Sequence, residues 1–575
     1  MYSPEDCFTP FKAPTSEFTL PERFTFPFYY EPHPLCLLAA SELQQHLQTQ
    51  NEWQHDFGLC EAKGLGLHEA NDLTLDAGAT GALGKMFGVL LVKNSRGELG
   101  YLSAFSGKLA DQNLLPHFVP PVFDMLAEGS FFPPEQAKIN LINAEINTLK
   151  ADPELAQRES ILADETLLAQ EQIAAHRALM IENRKHRKQQ RAAGESLDEA
   201  ALKQLGIQMS RESVQDKNQL KTLNHYWDER LSDAKSSLER LSGRLTELKQ
   251  QRKTMSAALQ QRLFDEYCFL NIKGELQSLG EIFKGTVHKI PPAGSGECAA
   301  PKLLHFAFKN GMTPLAMAEF WWGVAPKSEI RQHRNFYGAC QGKCQPILGH
   351  MLDGLPTDEN PLLSNPAAGK QLDIIYQDDD MLVINKPAEF LSVPGKNIED
   401  SVYSRIKLMF PKATGPLIVH RLDMSTSGLM VIALNKASNK SLQKQFISRT
   451  VKKRYVALLT GELNQDEGVI TLPLRGDFDD RPRQLVCFEH GKPAQTRWQV
   501  IERKNKQTKV YLYPKTGRTH QLRVHSAHSD GLNMPILGDD LYGKKTNRLH
   551  LHAELLALNH PITKEPMSFQ VDADF

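Results

Sequence analysis

The chain has 575 residues and a formal charge of −1, from 67 Lys+Arg against 68 Asp+Glu, with 41% hydrophobic and 23% charged residues. That balance excludes wholesale disorder, and the length implies about three to five structural units. Apolar runs such as residues 87–92 fall far short of the ~18 residues a membrane span needs. The first residues, Met1-Tyr-Ser-Pro-Glu-Asp, are acidic and lack an apolar core, so no secretory signal is expected. Eight Cys lie scattered at 7, 36, 60, 268, 298, 340, 344 and 487. They form no disulfide framework, and reduced thiols in a cytoplasmic protein are the expectation. Charge is uneven: residues 370–575 carry 30 basic and 23 acidic residues, the remainder 37 and 45. A basic C-terminal third suggests an anionic partner such as nucleic acid.

In chain order, residues 1–133 read as a small mixed α/β region. Residues 84–93 and 98–105 predict two strands joined by a polar turn at Asn94-Ser-Arg-Gly. Residues 134–268 are dominated by strong helix formers and nearly lack Pro. Leu231, Leu238, Leu241, Leu245, Leu248, Met255 and Leu259 fall on a coiled-coil frame, with Ala234 filling one site and Arg252 interrupting it. A break at residues 192–198, followed by Gly206, predicts an antiparallel helical hairpin with arms of ~55 residues, ~80 Å long. Two readings stand side by side: an arm reaching along a large partner such as a ribosomal particle, or a dimerising or spacing coiled coil. The basic run Arg184-Lys-His-Arg-Lys near the expected tip favours nucleic acid.

Residues 269–352 read as a compact region rich in Cys and aromatics. Cys298, Cys340 and Cys344, near His305, His333 and His350, are candidate zinc ligands, and Gly296-Glu-Cys-Ala-Ala-Pro-Lys resembles the Glu-plus-Cys layout of zinc-dependent deaminases. The Cys340-to-Cys344 spacing is one residue longer than Cys-x-x-Cys, and no His-x-Glu accompanies it. Free buried cysteines and no metal are therefore the expectation. Residues 353–370, rich in Pro, Asn, Asp and Gly, read as a linker, and residues 371–575 as the last domain, opening on a strand at residue 373.

The chemistry concentrates in that last domain. His420-Arg-Leu-Asp-Met-Ser-Thr-Ser-Gly lies between apolar stretches, so Arg421 and Asp423 sit on a tight segment between buried strands. Lys515-Thr-Gly-Arg-Thr-His-Gln-Leu-Arg-Val-His crowds two Arg and two His into a stretch that reads as a strand. An Arg keeps a shielded carboxylate ionised. No Cys accompanies these His and carboxylates are few, so a metal fits poorly here, and no phosphate-cradling glycine loop is present.

These words, with Tyr376-Gln-Asp-Asp-Asp-Met-Leu-Val-Ile-Asn-Lys-Pro, Lys453-Arg-Tyr-Val-Ala and Pro535-Ile-Leu-Gly-Asp, resemble in order and spacing the RluA family of RNA pseudouridine synthases across residues 371–575. Arg481-Pro-Arg-Gln and Ser392-Val-Pro-Gly resemble the RluA subgroup itself, which acts on large-subunit rRNA and, in some members, on tRNA anticodon stem-loops. The resemblance implies an α+β fold: a mixed, largely antiparallel sheet with flanking helices. In this chain that domain follows a small α+β region and the long helical hairpin. It implies an isomerase that turns uridine into pseudouridine in rRNA or tRNA without a cofactor. Asp423 is then the catalytic carboxylate, acting either as a nucleophile at C1′ or as a base on the ribose, with Arg523 as its salt-bridge partner. Tyr455 stacks on the base, Leu522 packs the pocket, and Arg421 lies near the flipped nucleotide. His420 completes the expected substrate-binding set, and Lys386-Pro387 reads as a structural turn. The alternative is a catalytically silent RNA-binding or ribosome-assembly factor on the same fold.

Overall fold

The computed structural model describes residues 4–55, 57–59, 84–193, 198–287, 289–478 and 480–575. It divides into two compact units, Met1–Asp124 with Phe264–Phe575, and Met125–Leu263. Among the described residues, no helix is long and apolar enough to cross a membrane.

In the first unit, helix α1 (Pro34–Thr49) begins on a proline, whose missing N–H is one the first turn would leave unpaired anyway. Strands β1 (Lys85–Lys93) and β2 (Leu99–Phe105) pair antiparallel, Phe87 opposite Phe105. The chain returns to the same sheet only after the second unit. Helix α2 (Ala299–Lys309) leads into β3 (Thr313–Trp322), which pairs antiparallel with the free edge of β1, and β4 (Phe336–Tyr337) follows before helix α3 (Cys344–Met351). The unbroken apolar run at 87–92 now has its explanation. One face of β1 packs with Leu35, Ala39 and Leu43 of α1. The other meets α2, where a side chain at Gly88 would touch Ala299 and Leu303 at 3.0 Å. A strand covered on both faces shows no alternation. The segments 1–133 and 269–352 thus share one sheet.

The C-terminal part runs β5 (Asp373–Gln377), β6 (Met381–Lys386), α4 (Val402–Met409), β7 (Ser427–Ala433), α5 (Lys436–Ile447), β8 (Lys452–Leu459), β9 (Glu467–Thr471), β10 (Gln495–Lys504), β11 (Gln507–Pro514), α6 (Gln521–Ala527), β12 (Leu551–Asn559) and β13 (Pro566–Gln570). The strand order is β9-β10-β11-β8-β12-β7-β6-β5, with β13 also on β12. Its pairings are antiparallel except β7 with β12, which run parallel. Gly428 makes that junction: at φ +112°, a Cβ there would lie 2.4 Å from the Ala553 carbonyl oxygen, so no side chain fits. The stretch read as a strand at 515–525 is instead a loop followed by helix α6. Every residue of α6 is buried, so its alternating Leu522 and Val524 carried no strand information.

The first unit's N-terminal module is built into the C-terminal part. Ile330 is buried in the core formed by Leu459, Val486, Leu532 and Ile536. Arg331 pairs with Asp480 at 3.0 Å, Asn335 donates to the Gly543 carbonyl at 2.6 Å, and Val486 N–H donates to the Ser328 carbonyl at 3.1 Å. Ala367, from the segment read as a linker, is buried beside Phe390 and Ile406.

In the second unit, helices Phe132–Lys150 and Pro153–Ala193 form one arm and Glu199–Glu266 the other. The arms run antiparallel: Glu145 pairs with Arg244, Glu165 with Arg230, Gln172 with Trp227, and Arg187 with Asp216. The leucine frame faces inward, Leu245 and Leu248 packing on Ile146 and Leu259 on Ile139. These frame positions are thus filled by the chain's own first arm. Of the expected break at residues 192–198, residues 194–197 lie outside the described residues, as does the Leu241 side chain.

Candidate active site

Asp423 lies on the loop that enters β7, and that loop is fixed from several sides. Ser392 Oγ donates to the Leu422 carbonyl at 2.7 Å and accepts the Leu422 N–H at 3.2 Å. The Thr426 N–H closes a turn on the Asp423 carbonyl at 3.1 Å, and Leu422 is buried in the core beneath. On the other flank, Lys386 ends β6 with its side chain fully buried. Its Nζ donates to the carbonyls of Pro387, Phe390 and Met424 at 2.9, 2.8 and 3.0 Å. Burial lowers its ammonium to about 7, while all three N–H donors meet oxygens as the charged form requires. The residue read as a turn element therefore clamps the residue next to Asp423. The sequence word that ends on Lys386-Pro387 contains it but does not show this role, because its partners are carbonyls rather than side chains.

The Asp423 carboxylate itself has no hydrogen bond or ion pair among the described residues. The expected Asp423–Arg523 salt bridge is absent. Arg523, on α6, instead meets Asp539 through Nε at 2.8 Å and Nη2 at 2.5 Å, and Asp540 through Nη2 at 2.8 Å. The reason lies in burial: Asp539 is wholly enclosed and would be strongly destabilising without a cation. It also accepts the Leu541 and Tyr542 N–H groups. Burial opposes the Asp539 charge, but Arg523 and these donors together hold its carboxyl below the usual range. Arg523 still reaches Asp423 through its field, which raises its own affinity for its proton.

Asp423 sits where two clefts meet. The first, about 830 Å³, is lined by His420, Arg421, Lys453, Tyr455, Arg518 and Leu522 among others. Tyr455 stands on β8 between the two cores of the C-terminal part. Burial and the Asp423 charge push its phenol well up, so it stays neutral. Arg421 is exposed at the rim, and Leu522 is buried. His420 lines the wall, with Nε2 accepting the Val431 N–H at 3.0 Å and the ring stacked on Phe446. Burial lowers it to about 3, which keeps it neutral and fits that acceptor role. His520, in the left-handed region at φ 53°, bonds the Tyr542 hydroxyl at 2.8 Å.

The second cleft, about 1280 Å³, opens on the other side of Asp423 and shares Arg523 and His520. Its far wall comes from the N-terminal module: Phe28, Tyr29, Gln332, Arg334 and Asn335. Tyr29 donates to Asp540 at 3.3 Å, on the carboxylate that also holds Arg523. Nothing in the sequence flags these residues, because their approach depends on long-range docking. In the same module, the structure brings Cys298, Cys340 and Cys344 together, while His305, His333 and His350 turn to the backbone of Leu270, Gly323 and Phe269.

A family model described as RNA pseudouridylate synthase matches residues 380–528. The dual-specificity RNA pseudouridine synthase RluA of Yersinia pestis is 48% identical over 210 residues, 35% of this chain and 99% of that protein. Its namesake in Escherichia coli strain K12 is 47% identical over 219 residues, 37% of this chain and 97% of that protein. A solved structure, human RNA pseudouridylate synthase domain containing 1, is 31% identical, covers 37% of this chain and 87% of that one, and has a TM-score of 0.32. The shared segment makes up nearly all of the two RluA proteins, so most of this chain has no counterpart in them.

Proposed function

The chain belongs to the RNA pseudouridylate synthase family and isomerises uridine in RNA, and we propose that Asp423 is the carboxylate that carries the reaction. The N1–C1′ bond of a flipped uridine breaks, the base turns, C5–C1′ forms, and the C5 proton is exchanged for one on N1. Composition is unchanged, and an ionised carboxylate at the ribose suffices to open the path. The supporting observation is the unpaired Asp423 carboxylate at the meeting of two clefts, with Tyr455 on one side and Arg523 on the other. Tyr455 offers a ring for the base, Leu522 an apolar floor, and Arg421 a cation at the rim. His420 supports the wall. Unstacking a base costs a few kcal/mol and is cheapest in a loop. That cost and the RluA-subgroup words favour structured targets: large-subunit rRNA, a tRNA anticodon stem-loop, or both.

The helical unit fits a positioning role. Arg184, Lys185 and Lys188 are exposed on its first arm and suit phosphate contacts on a ribosomal particle. Replacing residues 125–263 by a short Gly-Ser linker should spare modification of a stem-loop and impair that of the particle. Equal loss on both substrates would remove the positioning role. A cytoplasmic site of action accords with the free thiols among the described residues.

The decisive test maps pseudouridines in RNA from a strain lacking this chain. At least one uridine should lose modification and regain it with the wild-type chain. Asp423→Asn should bind RNA with unchanged affinity yet turn over at least about 10³-fold more slowly, since the amide neither attacks nor accepts a proton. Unaltered pseudouridine yield in that variant would overturn the assignment.

A further inference from the structure

The N-terminal module holds a polar cluster that pseudouridine formation does not use. Cys298 is the N-cap residue of α2, Cys340 follows β4, and Cys344 opens α3. They come from three separate chain segments, yet their sulfurs all lie within 4.8 Å of one another, with Cys340 and Cys344 at 3.4 Å. Cys344 is buried, and Cys298 and Cys340 are half-buried. A tetrahedral zinc with Zn–S of about 2.3 Å sets its sulfurs about 3.8 Å apart, close to what this triangle already has.

We propose that Cys298, Cys340 and Cys344 bind a zinc ion, with water in the fourth position. The electrostatics suit it. Two of the three cysteines stand at the N-termini of helices, whose positive dipole ends offset negative charge gathered on the sulfurs. Binding Zn²⁺ releases three thiol protons and leaves the site, with its water, at one negative charge, which those two helix ends offset. The nearby histidines do not complete the shell, since their rings are engaged with backbone groups elsewhere. Glu319 of β3, buried beside α2, is held by the Ala300 N–H at 3.2 Å and stands outside the sulfur triangle. Three soft ligands and one open place select zinc over magnesium or calcium, which take oxygen. A redox pair would need only two of the three thiols and leaves the third unexplained.

The site would fasten the start of α2 and the start of α3 to the end of β4. The loop just before β4 carries Ile330, Arg331 and Asn335, which dock the module on the C-terminal part. Zinc therefore steadies the wall of the second cleft without touching the reacting atoms.

The test uses the full chain purified anaerobically without chelator. Atomic emission should find about one zinc per chain, falling below about a tenth in Cys298→Ser/Cys344→Ser. Cys268→Ser should keep the metal, because that thiol donates to the Asp265 carbonyl away from the triangle. If the double variant fails to fold, cobalt added to the zinc-stripped wild-type chain provides the second reading. A thiolate-to-cobalt charge-transfer band with tetrahedral d–d absorption, reversed by zinc, would support the site. Folded wild-type chain that takes up neither metal would overturn it, as would a Cys340–Cys344 disulfide in freshly purified protein.

Discussion

Two buried polar clusters of the first unit differ in one respect. Around Arg523, the polar groups are paired: Asp539 and Asp540 face one guanidinium, and backbone N–H groups take up remaining lone pairs. Around Cys298, Cys340 and Cys344, three potential anions gather, with the Cys340 thiol donating to the Cys344 sulfur at 3.4 Å. The first cluster is complete, and it reaches the unpaired Asp423 through its field alone. In the second, the sulfurs gather on one another, an arrangement that a shared metal ion would complete. A fully paired network thus marks support, whereas an unpaired member marks a place where something binds or reacts.

Breaking the complete cluster gives the largest expected effect. Arg523→Ala strands Asp539 at zero exposure, which should cost about 3–5 kcal/mol of unfolding free energy, measured by urea titration of the full chain. Arg523→Ala/Asp539→Ala should recover a substantial part of that loss while leaving activity low. A single variant as stable as wild type would show that the pair holds nothing together. A smaller effect tests the docking of the N-terminal module. Ile330→Ala removes a side chain buried among Leu459, Leu532 and Ile536 and should destabilise the C-terminal part by about 2–4 kcal/mol. Unchanged melting would mean the module is only a neighbour, and its Tyr29 and Arg334 would lose their claim on the second cleft.

The legibility of each cluster in the sequence follows from where its partners come from. Asp423, Tyr455, Leu522 and Arg523 stand in short words that carry the resemblance to the RluA family, and the resemblance assigns their roles. What the words did not give was pairing. The resemblance implies Arg523 as the partner of Asp423, while the buried Asp539 in Pro535-Ile-Leu-Gly-Asp has the stronger need. Lys386 reads in the sequence only as part of a turn, because carbonyl partners leave no trace in composition. The N-terminal sheet was read in two pieces because β1 and β3 are separated by a whole helical unit, and pairing across such a gap has no local signature. The helix at 521–527 was read as a strand because complete burial erases the polar face that periodicity needs.

The smallest expected effect concerns pH. His420 is held neutral by burial, with its proton affinity lowered to about 3 from an ordinary 6.5. His525, on α6, and His305, in the N-terminal module, are lowered to about 4 by the same cause. In the unfolded chain each ring takes a proton as pH drops through about 6.5, while the folded rings do not until pH nears 3 or 4. Between those limits the unfolded state binds more protons, so stability rises with pH and is lost as pH falls. Because the three rings are shared between both parts of the first unit, acid should loosen the two together rather than the cleft alone. Replacing His420 by Gln, whose side-chain oxygen can still accept the Val431 N–H, should flatten the slope of unfolding free energy against pH from about 6.5 to 3 by roughly one proton's worth. An unchanged slope would mean that His420 is protonated in the fold, and that the Val431 N–H is satisfied by some other group.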